Sequence, residues 1–183
     1  MNAPPTSFLM MLVSSITISM TLFISSPAHA APSELVRSAC NSTNNYTFCV
    51  GALESDHRTA SASRLGPLSI IALDLAMSNA TKTQRYMANL ASRSKAKPNV
   101  REALEACVEN YRGVIGSFRS AAGEVKVKEY MMANYDSAVA GDGASLCDKK
   151  LAARGVRNPS LLERNLHIHY FSNIGFVITG KLY

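Results

Sequence analysis

The sequence predicts an all-α protein: an up-and-down four-helix bundle preceded by a short N-terminal helical hairpin and stapled by two disulfides. From Leu65 onward the apolar residues recur at intervals of three and four rather than two. Glycine and proline fall between the segments so defined instead of within them. Four cysteines, Cys40, Cys49, Cys107 and Cys147, stand in a chain that opens with an export signal, the setting in which cysteines pair.

That opening is an apolar run from Phe8 to Ile24, followed by Pro27 and then Ala28-His29-Ala30. Small residues at Ala28 and Ala30 suit signal peptidase, so residues 1–30 read as a signal peptide cut after Ala30. No Lys or Arg precedes Phe8, which is the one feature that favours an uncleaved membrane anchor instead. Cleavage leaves about 153 residues, enough for one domain with a real core and no membrane segment. Residues 31–62 form the expected hairpin, with Asn41 to Asn45 as its turn and Cys40 and Cys49 at its throat. Residues 63–183 form the bundle.

Leu65, Leu68, Ala72, Leu75, Asn79, Tyr86 and Leu90 make one stripe of a long first bundle helix, which must end before Pro98. The second opens at Pro98, carries Val100, Leu104, Cys107, Val108, Tyr111, Ile115, Phe118 and Ala122 on one face, and is expected to stop at Gly123. A third, from about Val125, shows Val127, Met131, Tyr135, Ala138 and Val139, and Gly141-Asp142-Gly143 is expected to loosen it before Cys147. Asn158-Pro159-Ser160 is a cap-and-proline start for the fourth, whose stripe is Leu161, Ile168, Phe171, Ile174, Ile178 and Leu182. Short connections make these helices antiparallel neighbours.

Four cysteines allow three pairings. The simplest joins neighbours, closing a tight loop with Cys40 and Cys49 and tying two adjacent helices through Cys107 and Cys147. Asn41-Ser42-Thr43, Asn45-Tyr46-Thr47 and Asn79-Ala80-Thr81 are glycosylation sequons, the first two in the hairpin turn. A proline excludes Asn158-Pro159-Ser160.

The leader has no charged side chain, so the formal charge of +6 belongs to the exported part and favours acidic partners, acidic pectin among them. The basic residues come in short clusters: Lys126 with Lys128, Lys149 with Lys150, and Arg93 with Lys95 and Lys97. None shows the aromatic interleaving of a single-strand binder, so no nucleic-acid partner is expected. His167 and His169 lie two apart, on different sides of a helix, and no Cys-x2-Cys pair accompanies them; no metal or other cofactor is expected. No Gly-x-Ser-x-Gly turn, phosphate loop or His-Glu-x-x-His occurs, and Asp56-His57 reads as a surface pair in a linker. The chain therefore does not read as an enzyme.

Four stretches in order resemble the plant invertase and pectin methylesterase inhibitor family. They are Cys40 to Cys49 with eight residues between; Ala52-Leu53-Glu54-Ser55-Asp56 with Arg58; Ala103-Leu104-Glu105-Ala106-Cys107-Val108-Glu109-Asn110-Tyr111; and Tyr135-Asp136-Ser137-Ala138-Val139 leading to Cys147. Asn165 to Ile178 is similar to the family's closing helix. The resemblance implies neighbouring disulfides and a secreted, apoplastic inhibitor that blocks the substrate cleft of a carbohydrate-active enzyme in a one-to-one complex. It places contacts at Glu109 and around the fourth cysteine, at Leu146, Asp148 and Lys149. The chain departs from the pattern there: a frequent Thr-Cys-Glu-Asp is Leu146-Cys147-Asp148-Lys149, and an acidic position nine residues after the third cysteine is Gly116. No Pro-Lys-Phe precedes the fourth cysteine, which tilts the expected target from acid invertase to pectin methylesterase. A wall protein that binds pectate without inhibiting is the remaining alternative.

Overall fold

The computed structural model describes residues 33–93 and 98–183, with Met1 ahead of them. The expected signal peptide and its cleavage site lie outside the described residues.

Side-chain caps set the hairpin. Ser33 Oγ accepts from Val36 N–H (3.2 Å) to start α1, Glu34–Cys40, and Asn45 Oδ1 accepts from Phe48 N–H (3.0 Å) to start α2, Tyr46–Glu54. Cys40 and Cys49 are bridged, with Cα atoms 5.6 Å apart. The hairpin joins the main core: Val36, Ala39, Cys40, Cys49 and Leu53 are buried with the bundle residues. Phe48 rests on Phe171 edge-on at 5.2 Å and on Tyr170 at 5.0 Å, while Asn173 Oδ1 accepts from Asn44 N–H (2.8 Å). Lys181 Nζ donates to the Ser38 carbonyl (2.6 Å) and completes this seam.

A single 3₁₀ turn, His57–Ser61, leads into the bundle. Arg58 holds it, reaching Asp56 through Nη2 (2.8 Å) and Asp74 on the first bundle helix through Nη1 (2.8 Å). The hydrogen bonds from Arg58 hold the Asp56 carboxyl at about 2. Asp56 thus serves structure, as part of a linker clamp, with His57 exposed beside it.

The bundle helices are α3, Leu65–Arg93; α4, Pro98–Lys126; α5, Tyr130–Ala153; and α6, Pro159–Gly180. Each packs on the next and α6 returns to α3, which closes the ring. Asn158 Oδ1 accepts from Leu161 N–H (2.9 Å), the cap expected of Asn-Pro-Ser. The α4 and α6 stripes are buried as expected, at Leu104, Cys107, Tyr111, Phe118 and Ala122 and at Leu161, Ile168, Phe171, Ile174 and Ile178.

Three expectations need correction. The buried face of α3 is turned by about one position, to Leu68, Ala72, Ala76, Ala80, Thr83 and Met87. On α5, Met131 and Tyr135 are 70% and 62% exposed, as is Val127 ahead of it, while Ala133, Asn134, Ser137, Ala140, Ala144, Cys147 and Leu151 are buried. Gly123 does not end α4, and Gly141 and Gly143 do not interrupt α5. Gly123 faces open space inside α4, which continues because buried Val125 still lies on its stripe. Gly141 and Gly143 lie within α5, where neighbours crowd them: a Cβ on Gly143 would stand 2.6 Å from Val114 Cγ2, and one on Gly141 would overlap Ser172 Oγ. On α6, a Cβ on Gly175 would stand 2.8 Å from Ser137 Oγ. Small residues therefore let α5 and α6 approach closely, and Ser172 Oγ donates to the Ser137 carbonyl (2.8 Å) across that seam.

Candidate functional site

The Cys107–Cys147 bridge joins α4 to α5 with Cα atoms 5.1 Å apart, confirming the neighbouring pairing. Asn110 Nδ2 donates to the Gly143 carbonyl one turn further on, so the helices run antiparallel in a fixed register. The joint is buttressed from α6. Asn165 accepts a hydrogen bond from the Tyr111 hydroxyl and donates through Nδ2 to the Ala144 carbonyl (3.1 Å), linking three helices at one buried point. Burial pushes the Tyr111 phenol above its ordinary range, so it stays a donor.

On this scaffold the candidate contact residues separate. Glu109 is exposed on the outer side of α4 and pairs with Arg112 (2.7 Å). The register puts it level with Ser145 and Leu146 on α5. Leu146 is 45% exposed, and Lys149, one turn on, is exposed on the same outward side. Asp148 turns the other way, toward α6, where it is 2.9 Å from His169 Nε2. His169 is thus a hydrogen-bonded interfacial histidine. Gly116 lies nine residues along α4 from Cys107, about 13 Å away, with open space where a Cβ would be. Glu109, Leu146 and Lys149 all face outward near the bridge, Gly116 lies two turns further along the face of α4 that carries Glu109, and Asp148 is turned to α6.

Helical spacing extends this outward face along α5. Met131, Tyr135, Asp142, Leu146 and Lys149 follow one another at three, four or seven residues on the solvent side. Large apolar side chains left outside a core that had room only for alanine and serine are the residues the sequence reading assigned inward. A cue existed in the chain: the opposite face of this helix is a run of Ala133, Ser137, Ala140 and Ala144, the composition of a close helix contact.

Of the sequons, Asn41 is exposed at the end of α1, and Asn45 caps α2 through Oδ1, leaving Nδ2 uninvolved in the cap. Asn79 faces a groove between α3 and α6, beside Lys82, Arg164 and His167. Among the described residues no group of three His, Cys, Asp or Glu side chains is placed to hold a metal, and no helix is long and apolar enough to cross a membrane.

The family model for the plant invertase/pectin methylesterase inhibitor matches residues 34–174. The chain belongs to this family. A pectinesterase inhibitor of Actinidia deliciosa is 30% identical over 156 residues, 85% of this chain and 83% of the relative. A cell wall / vacuolar inhibitor of fructosidase 2 from Arabidopsis thaliana is 30% identical over 141 residues, 77% of each chain. The crystal structure of mutant form A of a pectin methylesterase inhibitor from Arabidopsis superposes with a TM-score of 0.71 at 23% identity, covering 81% of this chain and 97% of that one, a likeness of fold. The family and both of these relatives are named as inhibitors.

Proposed function

We propose that this protein is secreted to the cell wall after cleavage at Ala30 and inhibits a pectin methylesterase by seating the outer faces of α4 and α5 in its substrate cleft, in a one-to-one complex. The observation that carries the reading is the apolar row on α5. Met131, Tyr135 and Leu146 stand exposed on a helix whose inner face packs through small residues, and exposed aromatic and methionine side chains are what interface centres use. Glu109 and Lys149 flank the Leu146 end with opposite charges and orient the partner. The family's usual acidic residues are replaced here by Lys149 and Gly116, so affinity rests more on α5. The sequons in the hairpin turn, at Asn41 and Asn45, project from the α6 side and would carry glycans without covering this face.

An acid invertase is the second candidate target, favoured by the similarity to the inhibitor of fructosidase. Both are tested with Leu146→Asp and Tyr135→Ala. Each variant keeps the fold, because both side chains are exposed, and each is expected to weaken inhibition at least about tenfold. Unchanged inhibition by both would place the contact surface elsewhere.

A further inference from the structure

The basic pair Lys126 and Lys128, which the inhibitory surface leaves unused, lies at the far end of the bundle. Val125 is eighteen residues from Cys107, about 27 Å along α4. There the start of α3 and the α4–α5 turn enclose a groove of about 470 Å³. Arg64, Lys126 and Lys128 line it, and among the described residues no carboxylate does. All three cations are exposed, and none makes an ion pair among the described residues. Leu65, Ile70, Val125, Tyr130 and Leu182 supply an apolar floor with one aromatic ring.

Charge is sorted across this turn. Glu124 faces α5, where burial, then Asp136 and Glu129, raise its carboxyl above the ordinary range. The acids therefore gather on the α5 side and the cations on the α3 side, so the groove keeps its positive potential.

The backbone of the turn adds a second observation. α4 and α5 both end with the same hydrogen-bond motif: Glu129 N–H to the Glu124 carbonyl (2.9 Å) with Lys128 N–H to that of Val125 (3.2 Å), and Val156 N–H to that of Leu151 (3.0 Å) with Gly155 N–H to that of Ala152 (3.0 Å). The motif needs a left-handed residue at its bend, and both φ values are +65°. After α5 that residue is Gly155, which meets no strain; after α4 it is Lys128, the one non-glycine residue with positive φ among the described residues. The turn holds a lysine at the groove in a conformation that disfavours it. Strain of this kind points to a function for the side chain.

We propose that this groove binds an acidic oligosaccharide, a short run of uronate residues whose carboxylates meet Arg64, Lys126 and Lys128 and whose ring faces lie on Tyr130 and the apolar floor. The volume admits about two sugar rings. The groove takes no residue of the inhibitory row and adjoins it only at Tyr130, beside Met131, so the protein can be held on de-esterified wall polymer while the Leu146 end of α4 and α5 engages an enzyme.

The test is calorimetric titration of the oxidised, secreted chain with trigalacturonate, its fully methyl-esterified counterpart, and vesicles containing anionic phosphatidylglycerol. Binding of the free acid alone is expected, weakened at least about tenfold in Lys126→Glu/Lys128→Glu. An Arg85→Glu/Arg157→Glu control, with the same net charge, should stay within about twofold of the parent. Lys128→Gly separates the site from stability: its thermal midpoint stays at or above the parent's while trigalacturonate affinity falls. Equal losses in the control pair, equal binding of the esterified trimer, binding to vesicles only, or no binding at all would each overturn the proposal. Leu146→Asp, at the other end of the inhibitory row, should leave trigalacturonate affinity at the parent level, so the groove and the inhibitory face fail or succeed separately.

Discussion

Tyr111→Phe isolates the three-helix junction with the smallest possible change. Tyr111 is 0% and Asn165 1% exposed, so water cannot replace the lost donor. Removing the hydroxyl leaves Asn165 Oδ1 buried without a partner, which costs about 2 kcal/mol. For a domain of this size that lowers the thermal midpoint by about 4–8 °C. Asn165→Ala removes both bonds, orphans the Tyr111 hydroxyl, takes from the Ala144 carbonyl the bond it accepts beyond its helical one, opens a small cavity, and is expected to cost about 3–4 kcal/mol. The double variant decides the mechanism. Once Asn165 is gone the hydroxyl has nothing to donate to, so adding Tyr111→Phe costs nothing more and the coupling is about 2 kcal/mol. Urea unfolding of the oxidised protein at pH 7 measures all three. A loss below about 0.5 kcal/mol for Tyr111→Phe, or additive losses in the pair, would refute the junction as the element that fixes α6 against α4 and α5.

Glycines on the two sides of the bundle should respond with opposite signs in thermal melts: Gly113→Ala, facing open space, gains about 0.5–1 kcal/mol, while Gly141→Ala and Gly175→Ala, facing Ser172 and Ser137, lose about 1–3 kcal/mol. Replacing Cys107 and Cys147 together by alanine should cost about 4 kcal/mol, against about 2.5 kcal/mol for Cys40 and Cys49, because the loops closed span 40 and 9 residues; equal losses would contradict the loop argument. Glu124 supplies a pH signature. Its folded carboxyl is raised by burial and by Asp136 and Glu129, so its full contribution is present below the unfolded value and is lost as pH rises through the folded one. Glu124→Gln should accordingly raise the thermal midpoint at pH 7 and leave it unchanged below about pH 4; a gain independent of pH would contradict this.

How far the sequence could be read depended on the size of the residues turned inward. On α4 and α6 the core positions are large, Leu104, Tyr111, Phe118, Ile168, Phe171 and Ile178, so hydrophobicity and burial coincide and the stripes are legible. On α5 they do not coincide. Ala133, Ser137, Ala140 and Ala144 go inward because α6 comes close, and Met131 and Tyr135 go outward, so reading the largest apolar residues as core inverts the helix. On α3 the same effect shifts the face toward Ala76, Ala80 and Thr83. The cap at Asn158 and the cysteine pairs were visible because those residue types have specific geometric uses, whereas Asn45, read only as part of a turn, also caps α2.

The candidate site was legible only in part. The family pattern names Glu109, Leu146 and Lys149, and the structure turns all three outward, with the bridge setting their level on α4 and α5. Asp148 could not be placed in this way, because a residue's position beside a cysteine carries no information on which neighbouring helix it meets; here that is His169 on α6. The left-handed Lys128 was also out of reach, as lysine gives no sign of that conformation, whereas Gly155 does.

The most direct test of the inhibitor reading is parallel titration of a pectin methylesterase and an acid invertase with the oxidised, secreted chain. Loss of esterase activity alone, complete near one equivalent and relieved by Leu146→Asp, is the predicted result. Loss of invertase activity alone would transfer the α4–α5 face to the other target, and full activity of both enzymes at excess protein would contradict the inhibitory role.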